Sequence, residues 1–205
     1  MQAATRRWVK LGAAGCLTLV LGIALNARYS IADRAQPTFH DLRVNLPEEY
    51  SRLVDPDAPP VQELAHRLGT LEAAYGFVRD SIAFEPRASA SAPARTLADG
   101  RASCLGKAAL LASLYRALGV PASDVRVVVG LVGYEGNLIE HAWVDLEYRA
   151  LCLQHDATDL YGVHDFLRFP GDAYAREFAQ REFYCFNDAG FAVVSQLNRM
   201  RSRRP

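Results

Sequence analysis

Apolar residues along this chain recur at two different spacings, and each spacing predicts a different element. After Pro59-Pro60, the residues Leu64, Leu68, Leu71, Tyr75, Val78 and Ile82 fall at three- and four-residue steps. That is one apolar stripe, and it predicts a helix running up to Pro86, where a proline ring must end it. From Cys104 to Leu118, Ala108, Leu111, Ala112, Tyr115 and Leu118 share a helical face, widened by Leu110 and Leu114. Ser103 offers its hydroxyl as N-cap, and Gly119 before Val120-Pro121 is a stop signal. Val125 to Val132 is β-branched and apolar, which predicts a buried strand. Strands over 138–147 and 150–156 follow, after a turn at Tyr134–Asn137. The last third reads as a loop around Gly162, a helix from Asp172 to Phe183 and a short strand at Phe191–Val194. Helices first and antiparallel strands afterwards define an α+β fold.

Two segments stand outside this pattern. Thr5 to Lys10 is basic, and Leu11 to Ala27 then runs without a charge for about 25 Å of helix, the short end of what crosses a bilayer. The preceding cations place the N-terminus inside and the rest of the chain outside the cytoplasm. Residues 11–27 therefore read as a membrane partner segment within a leader, 1–32. It is either a retained anchor or a signal peptide cut after Ser30-Ile31-Ala32. Residues 33–60 are rich in proline and charge and read as a linker or arm; 61–198 form the domain, and 199–205 a basic tail with Arg199, Arg201, Arg203 and Arg204.

Composition narrows the function classes. The chain carries 23 basic and 23 acidic residues, so it lacks the surplus that a nucleic-acid-binding domain usually shows. The cysteines are Cys16, Cys104, Cys152 and Cys185. None forms a C-x-x-C pair and no His/Cys set has zinc-finger spacing, so neither metal nor cofactor is expected. Cys152 and Cys185 read as a disulfide or as two small buried residues, with Cys104 left free.

Cys104 stands where backbone N–H groups and the helix dipole favour a thiolate. The hairpin supplies its partners. With the turn centred on Tyr148-Arg149, His141 faces Asp156 across the strands, about 5 Å apart at Cβ. Ala142, Val144, Leu146, Leu151 and Leu153 then line the opposite, core-facing side. A carboxylate beside an imidazole fixes its tautomer and stabilises its cation, which is what the base of a cysteine nucleophile needs. Trp143 shares the face of His141 and reads as a wall that contacts substrate or caps the core. His155 points to the core side as a structural histidine. His66 lies on a helix, His164 in a loop and His40 in the arm.

The run Gly100-Arg101-Ala102-Ser103-Cys104-Leu105-Gly106-Lys107-Ala108, ending in Leu118-Gly119-Val120-Pro121, resembles the nucleophile helix of the transglutaminase-like superfamily. His141-Ala142-Trp143 and Asp156-Ala157-Thr158 are similar to that family's His-x-Trp and Asp-x-Thr elements. The resemblance implies a papain-like fold with the nucleophile helix packed on an antiparallel sheet. It also implies Cys104 as nucleophile, His141 as general base and acid, and Asp156 as orienting carboxylate. The chain departs from the family at Ala102, where a glycine is usual, and at Leu105 to Lys107, where an acidic residue is common. The implied activity is hydrolysis of peptide or amide bonds in a peptide or protein substrate. Acyl transfer to an amine is the close variant, and a non-catalytic, membrane-anchored peptide-binding module is the other class.

Overall fold

The computed structural model describes residues 47–162, 164–170 and 173–193. The leader, the first part of the arm and the basic tail lie outside them. Among the described residues no helix is long and apolar enough to cross a membrane.

The helical half is built by its caps. α1 (Pro47–Ser51) is followed by α2 (Pro59–Leu68), whose first residue is a proline with no amide to leave unpaired. Gly69 adopts φ 70° and closes α2, its N–H donating to Ala65 O. Thr70 then caps α3 (Leu71–Ser81) by accepting from Ala73 N at 3.1 Å. The single stripe from Leu64 to Ile82 is thus split into two helices: a left-handed glycine followed by a threonine outweighs continuous periodicity. Residues of the proline-rich arm also pack, since Tyr50, Val54 and Ala58 are buried. The Tyr50 ring lies 5.0–5.5 Å from those of Tyr184, Phe186 and Phe191. β1 (Ala83–Phe84) pairs in parallel with β2 (Arg101–Ala102) across α4 (Pro93–Asp99).

β2 leads directly into α5 (Cys104–Ala117), capped by Ser103 Oγ, which accepts from Gly106 N. Every residue of α5 from Leu105 to Tyr115 is buried, because α2, α3 and α4 surround it on one side and β3 and β4 on the other. Gly106 is required by close packing. A Cβ there would lie 2.9 Å from the Cβ of Ala102, so the larger residue at 102 is accommodated by a smaller one at 106.

After a short 3-10 turn (Ala122–Asp124), β3 (Val125–Tyr134), β4 (Asn137–Tyr148), β5 (Leu151–His155), β6 (Ala179–Asn187) and β7 (Gly190–Val193) form an antiparallel sheet of order β5-β4-β3-β6-β7. One face, with Val127, Val129, Ala142, Val144, Leu146 and Leu153, belongs to the main core with α5. The other carries Val128, Val132 and Trp143 in a second cluster with Phe169 and with Tyr174 of α6 (Ala173–Glu177). α6 is much shorter than the predicted 172–183 helix; from Ala179 onward the chain pairs with β3 instead. Ladder hydrogen bonds and a buried face override helix propensity there.

Two corrections concern the hairpin. Its turn is Arg149-Ala150, both left-handed at φ 50° and 63°, so each β4 residue faces a partner two positions later than the sequence implies. Val144 faces His155, and Asp156 lies just beyond the strand. Leu151, placed in the core by the sequence, is 48% exposed beside that turn. Cys152 and Cys185 are both free. They stand on β5 and β6, three strand spacings apart, or about 14 Å, well beyond the reach of a disulfide.

Candidate active site

Cys104 is the first residue of α5 and is a partly exposed residue. The first amides of the helix have no partner within it and point where negative charge is favoured. His141 stands on β4 opposite Gly130, only 2% exposed. Its Nε2–H donates to Asp156 Oδ2 at 2.9 Å. The two-residue error in register leaves this pairing intact, since an even shift keeps a side chain on the same face.

Asp156 is 6% exposed, and both carboxylate oxygens are engaged. Oδ1 accepts from Thr158 N at 2.9 Å and from Thr158 Oγ1 at 2.6 Å. Oδ2 accepts from His141 and from the Tyr174 hydroxyl at 3.1 Å. Burial pushes this carboxyl up, but the His141 charge and hydrogen bond and the two bonds from Thr158 outweigh it, so it is held below the usual carboxylate value. Burial likewise opposes charge on His141. The charge and hydrogen bond of Asp156, joined by a hydrogen bond and a Coulombic contribution from Cys104, overcome that burial and raise the imidazole to about 10. Cys104 therefore sits within interaction range of the ring. With Nε2 committed to Asp156, Nδ1 is the nitrogen left for the thiol.

Trp143 does not line an open surface. It is fully buried, donates its indole N–H to Asp145 Oδ1 at 3.2 Å and packs 5.4 Å from the Tyr174 ring. Its place is behind the site, supporting Tyr174. Thr158 entered the sequence reading only as part of the Asp-x-Thr likeness; here it orients the carboxylate. Tyr174 was not legible at all, because it arrives from a short helix with no fixed spacing to Asp156. Substituting Tyr174 by Phe removes one of two donors to Oδ2. We expect about tenfold lower kcat with KM unchanged, and about 1–2 kcal/mol less stability. Steady-state kinetics and urea titration read both effects.

The other described histidines stay apart from this cluster, and His40 lies outside the described residues. His164 is exposed and 3.7 Å from Asp159, and His66 is exposed on α2. His155 is buried: its Nε2–H donates to Phe166 O at 2.8 Å, so Nδ1 is the acceptor for the Tyr115 hydroxyl at 2.8 Å. Burial lowers this imidazole to about 4, against a smaller opposing contribution from the Phe166 carbonyl. The folded state thus binds this proton more weakly than the unfolded chain, whose histidine titrates near 6.5. The resulting stability is present above about 6.5 and lost as pH falls towards 4. Between pH 7 and pH 5 the loss is about 2 kcal/mol. Urea unfolding at the two pH values should show it in the wild type and much less in His155→Gln.

Burial first, and then Asp145 and Glu147, push Cys152 up to about 12. Burial also raises Cys185.

A cysteine thus starts a buried helix beside a His–Asp pair carried by an antiparallel sheet. Residues 58–151, a segment that includes Cys104 and His141, match the model of the transglutaminase-like superfamily. No curated protein matches the chain in sequence. Among solved structures, calcium-bound LapG of Legionella pneumophila is similar at 20% identity and TM-score 0.47, over 66% of this chain and 75% of that one. EGTA-treated LapG gives 18% identity and TM-score 0.49, over 71% and 88%. A protein of Cytophaga hutchinsonii provisionally named a cysteine protease gives 18% and 0.48, over 81% and 53%.

Proposed function

We propose that the protein is a thiol hydrolase acting outside the cytoplasm on peptide or amide bonds, with Cys104, His141 and Asp156 as its working groups. The observation that supports this best is the His141–Asp156 pair: a buried imidazole is held in one tautomer at 2.9 Å, with its free nitrogen left for a partly exposed cysteine. His141, raised to about 10, already holds the thiol proton, so Sγ attacks the carbonyl carbon as a thiolate, and the Cys104 amide at the helix start helps hold the oxyanion. The imidazolium then gives its proton to the leaving amine, the C–N bond breaks, and a thioester remains on Cys104. Water, deprotonated by His141, attacks the thioester and releases the acid and the thiol. The apolar segment 11–27 would hold this domain at the outer face of the membrane, or be removed on export.

The test is a peptide library supplied to wild type and Cys104→Ala, with and without an added primary amine. Cleavage should fall at least about 1000-fold in the variant, with water rather than the amine consuming the acyl group. Incorporation of the amine would make the reaction acyl transfer. Equal turnover by both proteins would end the reading, and turnover by neither would favour a binding module.

A further inference from the structure

Lys107 is only 1% exposed, an uncommon place for a lysine, because an ammonium loses its hydration on burial. It follows Cys104 by three residues on α5, so the two share a helix face, and helical side chains lean back towards the N-terminus. Its Nζ donates to the carbonyls of Arg79 at 3.0 Å and Ile82 at 2.7 Å. These lie at the C-terminal end of α3, where carbonyls lack helical partners and the dipole favours a cation. Ile82 leads into β1, β1 pairs with β2, and β2 delivers Ser103 and Cys104. One side chain thus fastens the first turn of α5 to the strand pair that feeds it.

We propose that Lys107 is a positioning residue for the cysteine–histidine pair, acting through its buried positive charge as well as its two hydrogen bonds. This rests on the reading of Cys104 as nucleophile. The charged groups around the ammonium are Asp156, Asp159 and Asp80, which favour its charge, and Arg79, which opposes it. Burial is the largest influence and lowers the group to about 8, leaving it mostly protonated at neutral pH. The chemistry needs negative charge on Asp156 throughout and on the Cys104 sulfur before attack. A fixed cation among these groups stabilises the Asp156 carboxylate directly, and through Asp156 and His141 the charge on Cys104, where a neutral side chain of similar length would only fill space.

The test compares iodoacetamide alkylation of Cys104, Cys152 and Cys185 at pH 7 in wild type, Lys107→Gln, Lys107→Met and Lys107→Arg, assigned by peptide mapping. Lys107→Gln keeps donors for both carbonyls and removes the charge. It should slow Cys104 about tenfold while the other two cysteines are unchanged. Lys107→Met should slow it at least as much, and Lys107→Arg should restore the rate to within about threefold of wild type. Thermal unfolding checks that each variant is folded. An unchanged Cys104 rate in folded Lys107→Gln, or loss of fold in both uncharged variants, would make the lysine a structural cap and overturn the proposal. If Cys104 of the wild type reacts no faster than Cys152, the nucleophile reading itself has failed, which is a separate result.

Discussion

Asp156→Asn should lower kcat by about 1000- to 10,000-fold with little change in KM. The orientation of the new amide is dictated locally. Thr158 N–H donates to Oδ1, so the asparagine oxygen must stay on that side and its NH2 must turn towards His141 and Tyr174. An amide donor facing Nε2 requires that nitrogen to accept, which moves the ring proton to Nδ1. A protonated Nδ1 aimed at Cys104 cannot take the thiol proton. The variant also removes the charge that raises the imidazole to about 10, the Asp156 contribution that overcomes burial. On the proposed mechanism the wild-type His141 holds the proton for the leaving amine until pH approaches 10, so activity should fall as pH rises through that value. In Asp156→Asn the alkaline limb should lie at least about two pH units lower. KM should be spared because Asp156 is buried and its oxygens are taken up by His141, Thr158 and Tyr174. The kcat and kcat/KM profiles from pH 5 to pH 10.5 measure both effects. A variant with wild-type kcat would show that Asp156 orients nothing that matters to the reaction.

The second large effect is structural. Gly130→Ala should cost about 3 kcal/mol, near the top of the range for overpacking, or prevent folding. A Cβ at 130 would lie 2.2 Å from Arg181 O and 3.0 Å from Glu182 Cα, and these are backbone atoms that cannot swing aside. The register of β3 against β6 shifts between Val129 and Gly130, so the irregularity and the glycine occur together. Gly130 is also the direct partner of His141, and any adjustment of the strand there reaches the site. Gly133→Ala is the control: its new Cβ would meet its nearest neighbour, Phe178 O, at an ordinary 3.9 Å and should cost less than about 1 kcal/mol. Urea midpoints for the two variants decide the point. Similar values for both would contradict the close approach of β6.

The contrast between these two positions explains what the sequence could reveal. The His141–Asp156 pairing was legible because it depends only on strand parity, and parity survived a turn placed one residue too early. The turn itself was not legible, since Arg149 and Ala150 are residues that seldom adopt two consecutive left-handed conformations. The α2/α3 break was available at Gly69-Thr70 but hidden under unbroken apolar periodicity. Strand β6 was invisible because Ala179 to Phe183 continues a helix-like composition, and only the exposed edge of β3 makes it a strand. Tyr174 and Lys107 escaped for the same reason. Each acts through a partner remote in sequence, Tyr174 on Asp156 and Lys107 on Arg79 and Ile82, with no repeat or motif to announce it. Trp143 was placed on the right face, but burial and the Tyr174 ring make it a support for the site.

The central claim is that the Cys104 sulfur attacks a carbonyl carbon and carries the acyl group. The most direct measurement is acid quenching of the wild type during turnover of a peptide from the library, followed by peptide mapping of all three described cysteines. The account predicts a thioester on Cys104 alone, with the mass of the acyl half of the peptide, and none in Cys104→Ala. Turnover with no adduct at Cys104, or with the adduct on Cys152 or Cys185, would contradict it.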